Sequence, residues 1–193
     1  MDWNWALALI AGYAFIGFGI KYIDQVFDEH VFSRKLAMLL AVLTGLVMGY
    51  FIAVDHYSAV IFVAIVLSVA IFRKVDNIAF YIGVLLVLVV PIALAVYRNH
   101  FEFNWLALGI LTLSGFADEL GNDLADAEKM RGLGRKFFLY RFTMKLGMLV
   151  LTAYGFFPPI YFVAFLAFDT AYGAVDWYSM KVIKRTRGLL LHR

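Results

Sequence analysis

Cysteine is absent from all 193 residues, which excludes disulfides, thiolate metal centres and a cysteine nucleophile. Proline is held to three residues and charged residues to 16% of the chain. A soluble domain carries about a quarter charged residues, so the charge is too thin for an ordinary water-facing surface. His56 and His100, two of only four histidines, have no second ligand near them in the sequence and are assigned no role. The first five residues, Met-Asp-Trp-Asn-Trp, lack the basic n-region of a signal peptide, so the first apolar run is expected to remain in the mature chain.

What fills the chain is apolar. Hydrophobic residues make up 64%, and the mean hydropathy is +0.83. A helix needs about 20 apolar residues to cross a bilayer core, and seven stretches qualify or come close: Trp3–Ile20, Leu36–Val54, Tyr57–Phe72, Ile78–Tyr97, Phe103–Ala117, Phe137–Phe157 and Ile160–Tyr178. None alternates with strand period, and aromatic residues gather at several ends, as at a membrane interface. The expected fold is therefore all-α, a polytopic membrane helix bundle of about seven transmembrane helices in one domain, residues 1–193.

Basic residues give the direction. Lys21, Arg34 and Lys35 follow the first span, Arg73 and Lys74 the third, Lys129, Arg131, Arg135 and Lys136 the fifth, and Lys181, Lys184, Arg185 and Arg187 the seventh. The alternate loops hold only Arg98. By the positive-inside rule the N-terminus lies outside and the C-terminus is cytoplasmic.

The acidic residues crowd the same side. Asp24 and Asp28 are four apart, on one face of a helix, and Asp123 and Asp126 repeat the arrangement at a spacing of three. Carboxylates held together need a cation or a basic group between them. Oxygen ligands without cysteine favour magnesium or calcium over zinc. Glu29, Glu119 and Glu128 read as solvated loop charge. Each half of the chain runs from an acidic cluster through a basic pair and two apolar spans to a Val-Asp element, Val75-Asp76 or Val175-Asp176. This suggests a parallel repeat over residues 20–97 and 118–180. Gly45 and Gly49 form a helix-packing pair. Arg141 and Lys145 share a face of the sixth span, where ionisable groups mark functional or paired positions; Asp169, inside the seventh, is the expected partner of Lys145.

The segment Asn122-Asp123-Leu124-Ala125-Asp126, followed by Gly132, Gly134 and Arg135, resembles the cytoplasmic aspartate motif of the UbiA superfamily of intramembrane prenyltransferases. Asp24 and Asp28 fall in the register of the family's other motif, with Ile20-Lys21 in place of its leading Asn-Asp; Met130 replaces the closing aspartate of the second. The family usually has nine spans. The resemblance implies magnesium held by Asp24, Asp28, Asp123 and Asp126 against a prenyl diphosphate, with Asn122, Lys74 and Arg135 helping to hold the diphosphate. Asp123, Asp126, Arg141 and Lys145 would then serve the transfer of the prenyl group to a lipid or quinone-type acceptor. The expected partners are an isoprenoid or other lipid and the membrane. Two other readings stay open: an ion-binding membrane transporter with intramembrane charges along its path, and a non-catalytic lipid-binding protein.

Overall fold

The apolar runs Trp3–Ile20 and Leu36–Val54 contain no proline, and each lies within one uninterrupted helix. In the computed structural model, which describes residues 2–72, 76–95, 103–127 and 131–190 without the side chains of 95, 126 and 186–190, these are α1 (Trp3–Phe27) and α2 (Arg34–Val54). They are followed by α3 (His56–Ile71), α4 (Ile78–Ala95), α5 (Trp105–Asp126), α6 (Gly132–Leu139), α7 (Phe142–Ala153) and α8 (Pro159–Leu190). The described residues contain no strand. Helices α1 and α2 are long and apolar enough to cross a membrane, whereas α3, α7 and the apolar part of α4 are shorter.

Helix starts are marked by side chains that accept the first free N–H groups, as unsatisfied helix ends require. Asp55 takes the Ser58 N–H at 2.8 Å, Asn77 the Phe80 N–H at 3.0 Å and Asn104 the Ala107 N–H at 3.0 Å.

Three boundaries differ from the sequence expectation. Helix α5 runs on from Ala117 to Asp126, and α8 from Tyr178 to Leu190, so their charged ends are helical and not loops. The stretch Phe137–Phe157, expected as one span, is two helices that break at Tyr140–Arg141, where Arg141 has φ 50° and ψ 50°. The cause is a long-range acceptor: Asp118 on α5 takes the N–H groups of Thr143 at 2.9 Å and Met144 at 2.8 Å. That carboxylate starts α7 from another helix. Arg141 and Lys145 therefore do not share a face of a single helix, because Arg141 is not helical.

The chain sorts into two compact units whose boundaries do not coincide with the expected repeats. The first comprises Met1–Met48, Asn77–Leu88 and Val163–Arg193; the second comprises Gly49–Asp76 and Val89–Phe162. In the first, Tyr22, Ile23, Val26, Leu40, Ala41 and Val175 form a buried cluster. Here α1 approaches α8 so closely that a Cβ on Gly17 would lie 2.1 Å from the Phe168 carbonyl oxygen, which explains glycine at that position. In the second unit α5 packs on α3, α6 and α7, around Ile61, Phe62, Leu111, Met148 and Leu151. Ser68 on α3 donates to the Thr112 carbonyl at 3.1 Å.

The outer faces are apolar as well. Leu36, Leu39, Leu43, Leu46 and Tyr50 are exposed along α2, and Tyr81, Leu85, Leu88 and Ile92 along α4. Their spacing of three and four places each set on one helical stripe.

Candidate functional site

In the first unit the acidic group is organised by a lysine. Lys21 lies in the last two turns of α1, Asp24 one turn further on, and Asp28 caps the helix. The Lys21 ammonium donates to Asp24 Oδ2 at 2.7 Å and reaches Asp176 Oδ1 at 3.2 Å. It also sits 5.1 Å from the centre of the Tyr172 ring, within cation–π range. Gln25 Nε2 donates to the same Asp176 oxygen at 3.1 Å. The Lys21 side chain is only 13% exposed. Asp24 and Asp28 were expected to share a metal cation; instead the cation beside Asp24 is this chain's own ammonium, and Asp28 is exposed. One ammonium thus sits between the carboxylates of Asp24 and Asp176, in the place a cation between them would take.

In the second unit two adjacent carboxylates on α5 are buried, Asp118 and Glu119, at 2% and 3% exposure. Asp118 starts α7 as described. Glu119 Oε1 lies 3.0 Å from a terminal guanidinium nitrogen of Arg141. The left-handed backbone of Arg141 places it in the α6–α7 break, beside the helix it pairs with. Lys145, one turn into α7, donates to the Tyr140 carbonyl and lies 4.9 Å from the centre of the Phe142 ring. The two basic residues assigned to transfer chemistry thus hold the break together.

One turn beyond Glu119 come Asn122, half-buried, and Asp123, exposed. Arg135 is exposed on α6, and its Nε donates to the Ala125 carbonyl at 3.2 Å. This brings a guanidinium to the C-terminal turn of α5, inside the Asn122–Asp126 motif. Gly121 allows the approach: a Cβ there would lie 2.0 Å from the Phe138 ring. The backbone of Asp126 closes α5, while its side chain and all of Lys74 lie outside the described residues. Among the described residues no three His, Cys, Asp or Glu side chains converge as a metal set. Asn122 and Asp123 nonetheless bring oxygen donors of the hard kind that suits magnesium.

Asp24 and Asp28 belong to the first unit and Asn122, Asp123 and Arg135 to the second. Asp169, half-buried on α8, belongs to the first, and Lys145 to the second. No protein-family model, curated protein or solved structure matches the chain.

Asp118 and Glu119 escaped the sequence reading, which took Glu119 for a solvated loop carboxylate. A signal was present: no proline or glycine interrupts Phe116 to Leu120, so the helix had no local reason to end at Ala117. Two carboxylates continuing an apolar helix demand partners, and Arg141 was the complementary charge.

Proposed function

We propose that this chain is a membrane-embedded, magnesium-dependent binder of prenyl diphosphates, UbiA-like in layout, whose working motif is Asn122–Asp126. The observation that carries the reading is the Arg135 hydrogen bond to the Ala125 carbonyl. It joins a guanidinium, which suits phosphate oxygens, to a helix end carrying Asn122, Asp123 and Asp126. Magnesium usually bridges carboxylates to substrate phosphates. A diphosphate held by metal on one side and Arg135 on the other uses both partners. In this reading Asn122, Asp123 and Asp126 hold magnesium, Lys74 is a further phosphate contact, and Arg141 and Lys145 position the α6–α7 segment.

The exposed stripes on α2 and α4 support a lipid environment, since patches this apolar mark interaction surfaces. The chain then makes seven passes, with its N-terminus outside and its C-terminus cytoplasmic. The isoprenoid tail lies along apolar helix faces, away from water. Lys21 in the first aspartate register favours binding over transfer, because one of the two metal-bearing motifs has become an internal ion pair. Transport is the weaker reading: Arg141 is engaged by Glu119 and Lys145 by the Tyr140 carbonyl.

The test is titration of the detergent-solubilised protein with geranylgeranyl diphosphate, with magnesium and with EDTA. Binding is expected only with magnesium, and about tenfold weaker or worse in Asp123→Ala and Arg135→Gln, the loss of one charged contact. Binding that ignores magnesium and both substitutions would overturn the proposal. Release of inorganic diphosphate on adding a quinone-type acceptor would extend it to a transferase.

A further inference from the structure

No residue of α6 is buried, although half of its eight residues are Leu or Phe. Leu133 is 86% exposed, and Tyr140 and Phe142, just beyond the helix, are 64% and 42% exposed. Apolar side chains gathered and left bare in this way mark an interaction surface.

Helical geometry gives the direction in which that surface faces. Phe138 packs on α5 at Gly121, where a Cβ would lie 2.0 Å from its ring. At 3.6 residues per turn, Lys136 lies about 200° around the helix from Phe138, on the side away from α5. Leu133 and Phe137 are four apart and form a stripe beside Lys136, off the α5 contact. Arg131 precedes the helix at its N-cap and is exposed, as is Lys136.

Charge gives the chemistry of the partner. Between Glu128 and Asp169 the chain has no Asp or Glu, so no residue of α6 or α7 can balance Arg131 and Lys136. The apolar surface continues past the break, with Phe142, Leu146, Leu149 and Val150 exposed on α7. An apolar face that ends in cations matches a bilayer, whose acyl region ends in phosphates. An acidic soluble partner would answer the two charges and leave the α7 face bare. Zwitterionic headgroups carry their own cation beside the phosphate, so the match is to lipid of net negative charge.

We propose that α6 lies in the headgroup layer and docks on anionic phospholipid, with Leu133 and Phe137 at the acyl boundary and Arg131 and Lys136 against phosphates. This rests on the membrane part of the proposed function and not on its diphosphate site. Arg135, which reaches back to the Ala125 carbonyl, is left to that site.

The cysteine-free chain accepts a single fluorophore through Leu133→Cys or, as a membrane reference, through Leu43→Cys in the exposed stripe of α2. Each labelled full chain is placed in nanodiscs of phosphatidylcholine and phosphatidylglycerol, with one or the other lipid brominated on its acyl chains to quench. Both labels should be quenched. Mole for mole, phosphatidylglycerol should quench the Leu133 label more than phosphatidylcholine does, and the Leu43 label about equally. Arg131→Gln or Lys136→Gln should cut the excess at Leu133 about fivefold, the share of one basic residue at the surface. Both together should bring the two lipids level, with the melting temperature unchanged because the side chains are exposed. Inorganic diphosphate added with magnesium should leave the excess in place. A Leu133 label that no lipid quenches, beside a quenched Leu43 label, would overturn the proposal and spare the membrane reading. Loss of quenching at both labels would overturn both. Equal quenching of the Leu133 label by the two lipids, an excess that survives both substitutions, or its loss to diphosphate would overturn the docking on anionic lipid.

Discussion

Both units hold carboxylates on a helix that continues an apolar segment, and they answer that charge differently. In the first, the partner comes from the same helix: Lys21 precedes Asp24 by three residues, and the carboxylates of Asp24 and Asp176 keep 27% and 49% of their side-chain surface in solvent. In the second, Glu119 keeps only 4%, and its partner Arg141 comes twenty-two residues later, from a backbone in the left-handed region. A half-solvated ion pair contributes little and exchanges partners readily. A buried one contributes little as a pair, yet breaking it strands a charge. Exposure therefore separates a cluster that tolerates substitution from one that the α5–α7 packing depends on.

The sharpest way to break this contrast is at Arg141. Arg141→Met should lower stability by about 3 kcal/mol, the low end for stranding a buried charge, because the guanidinium is about one third exposed. Pairing it with Glu119→Gln should recover more than half of that loss in equilibrium unfolding from mixed micelles. Simple additivity of the two single changes would mean that no pair exists.

Next in size is Asp118. Removing the side chain with Asp118→Ala leaves the Thr143 and Met144 N–H groups without their acceptor, at a cost of about 1–2 kcal/mol. Asp118→Asn, which keeps one acceptor oxygen, should cost about half as much by the same reasoning. Amide exchange should accelerate at Thr143 and Met144 before it changes in α3. Unchanged exchange at those two positions would remove Asp118 as the cause of the α6–α7 break.

Lys21 comes third. Lys21→Asn should cost only about 1 kcal/mol, since the carboxylates it serves are partly solvated. The two carboxylates left without their ammonium should then welcome a metal ion. In an Asp123→Ala background, Lys21→Asn should make the melting temperature rise on adding magnesium or calcium, while Asp123→Ala alone should not respond. A double variant as indifferent to these ions as Asp123→Ala would show that Lys21 does not stand in for a cation.

The two long helices are legible in the sequence, because their apolar runs carry no proline and come close to the membrane-crossing length. The break at Tyr140–Arg141 is not. Phe137-Phe138-Leu139-Tyr140 continues the apolar pattern, and the acceptor that restarts the helix lies twenty-five residues back at Asp118. A partner at that distance leaves no local mark. The ends of α5 and α8 differ for the opposite reason: their charged residues read as loop, although no proline or glycine lies between Ala117 and Leu120 or between Tyr178 and Arg187. In the candidate site, the spacing from Asp126 singles out Asp123, and the family resemblance singles out Asn122 and Arg135. The Arg135 hydrogen bond to Ala125 depends on α6 turning back over Gly121. Lys21 was recognised as a departure from the aspartate register, but its reach to Asp176, 155 residues away, depends on the packing of α1 against α8.

The smallest effect on stability should come from the residues most concerned with function. Asp123 and Arg135 are exposed, and surface substitutions away from buried networks stay within about 0.5 kcal/mol. Asp123→Asn and Arg135→Gln should therefore unfold with the native midpoint while losing magnesium-dependent binding of geranylgeranyl diphosphate. Arg141→Met, by contrast, should lose stability first, and binding only as the α6–α7 break loosens. The two classes separate when a stabilising lipid or a lower temperature is supplied: binding should return to Arg141→Met and not to Arg135→Gln. If Arg135→Gln instead destabilises the protein as much as Arg141→Met does, its hydrogen bond to Ala125 is structural. The guanidinium at the end of α5 would then be a helix cap, and the diphosphate reading would lose the observation that carries it.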